Sequence, residues 1–109
     1  MKIICEYAEG TLYIRLAGEL DHHTSEETMR QISLAVDRYL PRNCALDMTQ
    51  LTFMDSSGIA LVLRLKRRMQ ETGGEIVLIR PRLQPGRVLS ASGVDRLVRI
   101  KTMESETRR

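Results

Sequence analysis

Two hydroxyl side chains, Ser56 and Ser57, stand between the carboxylate of Asp55 and Gly58 in the stretch Phe53-Met54-Asp55-Ser56-Ser57-Gly58. An apolar pattern of helical period starts directly after them. Three kinds of chemistry fit such a pair. A serine hydroxyl caps a helix by accepting from one of its free amide groups. It attacks a substrate when a nearby base takes its proton and an oxyanion hole receives the charge. It also accepts phosphate, and a helix start favours the anion that results. From spacing alone the cap comes first, and a capping hydroxyl is exposed enough to be modified as well.

A second polar cluster, Asp21-His22-His23-Thr24, raises the question of metal or of a catalytic base. Adjacent histidines on an extended chain point to opposite sides, and no further ligand cluster accompanies them, so no metal site is expected. For a serine hydrolase the only histidines are His22 and His23, both in one loop, and DSSG is not the G-x-S-x-G elbow. No residue is assigned as catalytic and no cofactor is implied. Cys5 and Cys44 sit far apart among apolar neighbours, without CxxC spacing, and read as buried reduced thiols.

The elements that position these residues follow from periodicity. Ile3 to Tyr7 and Thr11 to Ala17 are β-rich runs that form a hairpin across Ala8-Glu9-Gly10, with Gly10 supplying the turn. Leu12, Ile14 and Leu16 alternate with Tyr13, Arg15 and Ala17, which buries one face. Thr24-Ser25-Glu26-Glu27 reads as a capping box. It opens a helix whose inner face carries Met29, Ile32, Val36 and Tyr39 or Leu40, and which Pro41 stops. Asn43 to Met48 is a short strand, followed by a loop from Leu51 to Ser57. A second helix runs from about Ser57 to Glu71, with Val62, Leu65 and Met69 inward and Gly73-Gly74 at its end. Ile76 to Ile79 reads as a strand covered on both faces. A short helix through Val88 and Leu89, ending near Gly93, and a last strand from Leu97 to Ile100 complete the order.

That order predicts an α/β domain with a mainly parallel sheet, an N-terminal β-hairpin and helices packed on the sheet. In such sheets functional loops gather beyond the carboxyl ends of the strands. If the second and third strands are neighbours, Asp21 and Ser57 share one edge of the molecule.

Composition limits the function classes. At 109 residues, with 42% apolar and 28% charged side chains, the chain is expected to form a single folded domain. No apolar run approaches the roughly 20 residues that span a bilayer. The start MKIICEYAEG lacks the pattern of a signal peptide, so a cytoplasmic protein is expected, without membrane association. The formal charge of +3 is modest, and the four aromatic residues do not alternate with the basic run Arg64 to Arg68. That run reads as a solvated helix face, so no direct contact with nucleic acid is expected.

The stretches GELDHHT and LTFMDSSGI, with a helix ending in GG and the strand EIVLI, resemble the STAS family of anti-sigma factor antagonists, and within it the sporulation members. The resemblance covers about the first hundred residues. It implies the STAS fold and a binding module that is not an enzyme. It implies that the unphosphorylated form binds an anti-sigma factor, itself an ATP-dependent serine kinase, and frees the sigma factor. Ser57 then accepts phosphate from that kinase and switches the protein off, until a serine phosphatase acting on phospho-Ser57 restores it. Asp21, His22, Asp55, Ser56, Ser57 and Gly58 form the partner-binding set on this reading, with Gly58 giving a kinase loop room to approach. General-stress or other STAS modules with a different kinase and sigma factor share DSSG-like motifs and are the alternative. Two stretches depart from the family. Pro85-Gly86 suggests that the third helix begins late, and KTMESETRR from Lys101 onward, with Met103 as its only apolar residue, weakens the expectation of a final packed helix and suggests a disordered tail.

Overall fold

Glu9 and Gly10 both adopt positive φ, 50° and 87°. This two-residue turn has the twist that folds one strand back antiparallel on another, and it joins β1 (Lys2–Ala8) to β2 (Thr11–Leu20). The structure, a computed structural model, describes residues 1–102. After β2 come α1 (Ser25–Tyr39), β3 (Asn43–Met54), α2 (Ser56–Gln70), β4 (Glu75–Ile79), α3 (Leu83–Ser92), a 3₁₀ turn (Val94–Arg96) and β5 (Arg99–Lys101). The five strands lie in the order β1-β2-β3-β4-β5, with every pair after the hairpin parallel. The expected α/β architecture is the one observed. The possible final helix and disordered tail fall on residues 103–109, outside the described residues; Lys101 itself closes β5.

The strand order fixes where the helices go. Each crossover from β2 onward moves one strand in the same direction, and right-handed crossovers in one direction all return on one face. α1, α2 and α3 therefore cover a single face. Their buried residues, among them Met29, Ile32, Val36, Val62, Leu65, Met69 and Leu89, join Leu12, Ile14, Leu16, Leu46 and Leu78 in one core. The other face carries Tyr13, Ala45, Val77 and Arg99 in one row, and Arg15, Asp47, Ile79 and Lys101 in the next. β4 is thus covered on one side only, contrary to the continuous apolar reading, because no crossover reverses direction.

Several local expectations change. The Thr24–Glu27 capping box does not form. Thr24 occupies the cap position of α1 without a side-chain cap bond; its hydroxyl donates to Glu19 O at 2.9 Å, and Glu27 pairs with Arg30 and Gln31 instead. That pairing, Arg30 first, lowers the Glu27 carboxyl to about 2. Tyr39 is not a core residue but stacks on Tyr7 at 5.1 Å, and Leu40 is 73% exposed, its φ of 47° ending the helix one residue before Pro41. The last strand begins at Arg99, since Val94–Arg96 winds a 3₁₀ turn first.

Cys44 is fully buried, with its Sγ 3.6 Å from Met69 Sδ. Burial, with a smaller contribution from the nearby Cys5, pushes its thiol up to about 12. Since only the thiolate reacts, an aromatic disulfide reagent at mildly alkaline pH should titrate at most Cys5 in the native protein and both thiols in urea. Two fast thiols in the native state would contradict this packing.

Candidate functional site

β2 and β3 run parallel and side by side, so their carboxyl ends emerge together, with Leu20 opposite Met54. Both side chains are fully buried, and the Asp55 amide donates to Leu20 O at 3.2 Å. Asp21 and Asp55 therefore leave the sheet as neighbours, as the adjacent-edge expectation required. β3 runs six residues past the expected Met48 because it holds an extra residue at two places. Each bulge breaks the alternation of inward and outward side chains. At the first, Asp47 Oδ1 accepts from the Thr49 amide and hydroxyl at 3.0 and 2.6 Å. At the second, the Thr52 hydroxyl donates to Gly18 O at 3.0 Å. β2 likewise continues through Gly18 and Glu19 to Leu20, and the expected loop from Leu51 to Ser57 shrinks to Asp55 alone.

Asp55, not a serine, caps α2. Its extended backbone (φ −119°, ψ −164°) directs the carboxylate over the helix start, where Oδ1 accepts from the Ser57 amide at 2.8 Å. Neither serine is then needed as a cap. Ser56 is exposed and Ser57 half-buried in the first turn of α2. Gly58 faces inward: a Cβ there would sit 2.5 Å from Met54 Cγ and 3.2 Å from Leu20 Cδ2. The room that this glycine provides is for the core.

Facing this turn is the loop from Asp21 to Thr24. Asp21 Oδ1 accepts from the amides of His23 and Thr24 at 2.9 and 3.1 Å. Partial desolvation acts to raise the Asp21 pKa, but these amide bonds and the Thr24 hydroxyl outweigh it and hold the carboxyl below the ordinary aspartate range. Asp21 thus shapes the loop. The two histidines do not point apart; their rings lie 3.9 Å from each other because the loop is a turn, not a strand.

A groove of about 340 Å³ separates α1 from α2, with His22, Glu26 and Met29 on one side and Ser57 and Arg64 on the other. Arg64 lies two turns along α2 from Ser57, and helical side chains lean toward the N-terminus. His22 and Arg64 thus line the same groove as Ser57. Among the described residues no hydrogen bond joins His22 to Ser57, and Asp21 is bonded to backbone amides and not to either imidazole. The expected set of Asp21, His22, Asp55, Ser56, Ser57 and Gly58 is therefore brought together at one end of the sheet. Arg64, expected only as part of a solvated helix face, lines this groove as well, and its seven-residue offset from Ser57, two helical turns, is the sequence signal for it. Gln84, whose carboxamide bonds Met54, left no signal in the pattern. Another cavity, of about 350 Å³, lies across the bare sheet face and away from Ser57.

The STAS domain profile matches residues 2–107. The chain belongs to the STAS family. An anti-sigma F factor antagonist of Paenibacillus polymyxa is 34% identical to this STAS domain over 100 residues, which are 92% of this chain and 86% of that protein. The solved structure of the anti-sigma factor antagonist SpoIIAA in its unphosphorylated form superposes with a TM-score of 0.80 at 32% identity, covering 96% of this chain and 91% of the other. The Bacillus cell fate determinant SpoIIAA in its phosphorylated form gives a TM-score of 0.71 at 32% identity, covering 96% and 95%. The family expected from GELDHHT and FMDSSG is the family found. Among the described residues, no helix of this STAS domain is long and apolar enough to cross a membrane.

Proposed function

We propose that this STAS domain is an anti-sigma factor antagonist that phosphorylation of Ser57 switches off. The observation that carries the reading is the division of labour at the start of α2. Asp55 takes the cap and leaves the Ser57 hydroxyl, half-buried at the mouth of a groove, as an acceptor. Relatives of this chain named as anti-sigma F factor antagonists, and SpoIIAA solved in both phosphorylated and unphosphorylated forms, support it.

The unphosphorylated chain binds the anti-sigma factor, a serine kinase, and so frees the sigma factor. Asp21, His22, Asp55, Ser56 and Ser57 form the docking surface, and Gly58 lets α2 start close against Leu20 and Met54. Phosphorylation adds about −1.5 to −2 charges near neutral pH. The dipole of the α2 N-terminus, with Arg64 on the same groove, favours that anion locally, so the fold need not change. Toward a partner the effect is opposite: a dianion joins Asp21 and Asp55 on a surface that must be desolvated. A serine phosphatase restores the binding form. These partners place the protein in the cytoplasm, acting on transcription through proteins and not through nucleic acid or membrane, and no step in this cycle requires it to be an enzyme.

The test is intact-mass spectrometry of the chain after incubation with the anti-sigma F factor and ATP, beside Ser57→Ala. One phosphate on the wild type and none on the variant is the expected result. No phosphate on either would end this reading and leave the loop as a docking surface alone; a sigma factor other than F among co-purified partners would move the chain to another branch of the family.

A further inference from the structure

The stretch Arg82-Leu83-Gln84-Pro85-Gly86 departs from the family pattern, yet α3 does not begin late. It starts at Leu83, with Pro85 buried inside its first turn, where a missing amide hydrogen costs nothing. Gln84 is thereby held against the end of β3. Its Oε1 accepts from the Met54 amide at 2.8 Å, and its Nε2 donates to Met54 O at 3.0 Å.

The sheet shows why this matters. β4 pairs with β3 only from Asn43 to Asp47. Beyond Asp47 the side of β3 turned toward β4 has no strand partner, although Met54 there is fully buried. A carboxamide presents the same donor and acceptor as a peptide unit. Gln84 thus supplies at one residue the pairing that a longer β4 would have supplied. On the opposite side of the chain the next amide, that of Asp55, bonds Leu20 O. The end of β3 is held from both sides, one residue before the cap of α2.

Resting on the reading of Ser57 as acceptor, we propose that Gln84 is the positioning residue of the phosphoacceptor turn. Its clamp on Met54 fixes Asp55 over the Ser57 amide, and it holds Met54 where Gly58 packs against it. Gln84 touches neither nucleotide nor hydroxyl and acts through the placement of Ser57. Misplacement of a reacting group by about 1 Å can cost up to a hundredfold in rate, and loosening one end of the turn should cost less.

The experiment compares the full chain with Gln84→Met, which keeps the shape and loses both bonds, and with Gln84→Glu, which sets a carboxylate against the Met54 carbonyl. Phosphorylation by the anti-sigma F factor is followed for kcat and KM, and amide hydrogen exchange is measured at Asp55, Ser57 and the core residue Ile14. The expected result for Gln84→Met is a kcat lower by roughly tenfold with KM within about twofold. Exchange should quicken at Asp55 and Ser57 and stay unchanged at Ile14, and Gln84→Glu should be slower still. Unchanged kcat and unchanged exchange at Ser57, or exchange faster to the same degree at Ile14, would overturn the assignment. If the wild type takes no phosphate, the acceptor reading fails separately. The exchange pattern then decides alone: local quickening retains Gln84 as the clamp of the α2 start, and its absence removes it.

Discussion

Ser57→Asp should weaken capture of the anti-sigma factor by about a hundredfold, whereas Ser57→Ala should bind as tightly as the wild type. A hundredfold corresponds to about 2.7 kcal/mol. On the proposed docking surface the new carboxylate would join Asp21 and Asp55, and docking would remove water from all three. Like charges brought into a desolvated interface cost several kcal/mol. The alanine variant loses only a hydroxyl that caps nothing, since the Ser57 amide bonds Asp55 Oδ1 whatever the side chain. Isothermal titration of the purified anti-sigma factor against the three proteins reads both values. An aspartate variant that binds within about threefold of wild type would show that charge at this turn is not the switch.

The largest effect on stability is expected at Gly74. A Cβ there would collide with the carbonyl oxygen of Arg42 and lie 3.2 Å from Met69 Cε. The obstacle is backbone, and it is held: the amides of Arg42 and Asn43 both donate to Gly10 O, at 2.8 and 3.2 Å. Relief would require moving the hairpin turn or the start of β3. Gly74→Ala should therefore destabilise by about 3 kcal/mol or more, a drop in Tm above about 10 °C for a domain this small. Two neighbouring tests separate crowding from backbone preference. Gly73, with φ of 79° and nothing within 4 Å, should lose only about 1 kcal/mol as alanine. Gly86, inside α3 with open space beside it, should gain about 0.5 kcal/mol. Thermal denaturation of the three variants in that order of stability would support the packing described, and a Gly74→Ala protein as stable as wild type would refute it.

The hairpin, the alternation of helices and strands and the meeting of Asp21 with the serines were legible because each depends on local periodicity and on the parallel pairing of two successive strands. What escaped is non-local. Inward residues Met48, Leu51 and Met54 are spaced by three, not two, so the alternating pattern stops at Met48 unless the bulges paired against β2 are known. The cap fell to Asp55 because its extended backbone, not residue type, selects the capping side chain. The inward role of Gly58 depends on Leu20, far away in the sequence, and the clamp by Gln84 depends on how far β4 extends. Val77 and Ile79 read as doubly covered because apolar residues record burial without recording that all crossovers return on one face.

The single-residue junction at Asp55 has a consequence for how the domain meets its partner. Fixing the backbone of one residue costs about 1–2 kcal/mol in conformational entropy, so a free loop from residue 51 to 57 would spend several times that on being ordered by contact. Here the strand reaches Met54 and the helix opens at Ser56, and the chain between them is already bonded on both sides. The proposed recognition surface is ordered in the free domain. Capture at this proposed surface should then be governed by diffusional encounter and orientation, and not by folding of the loop during binding.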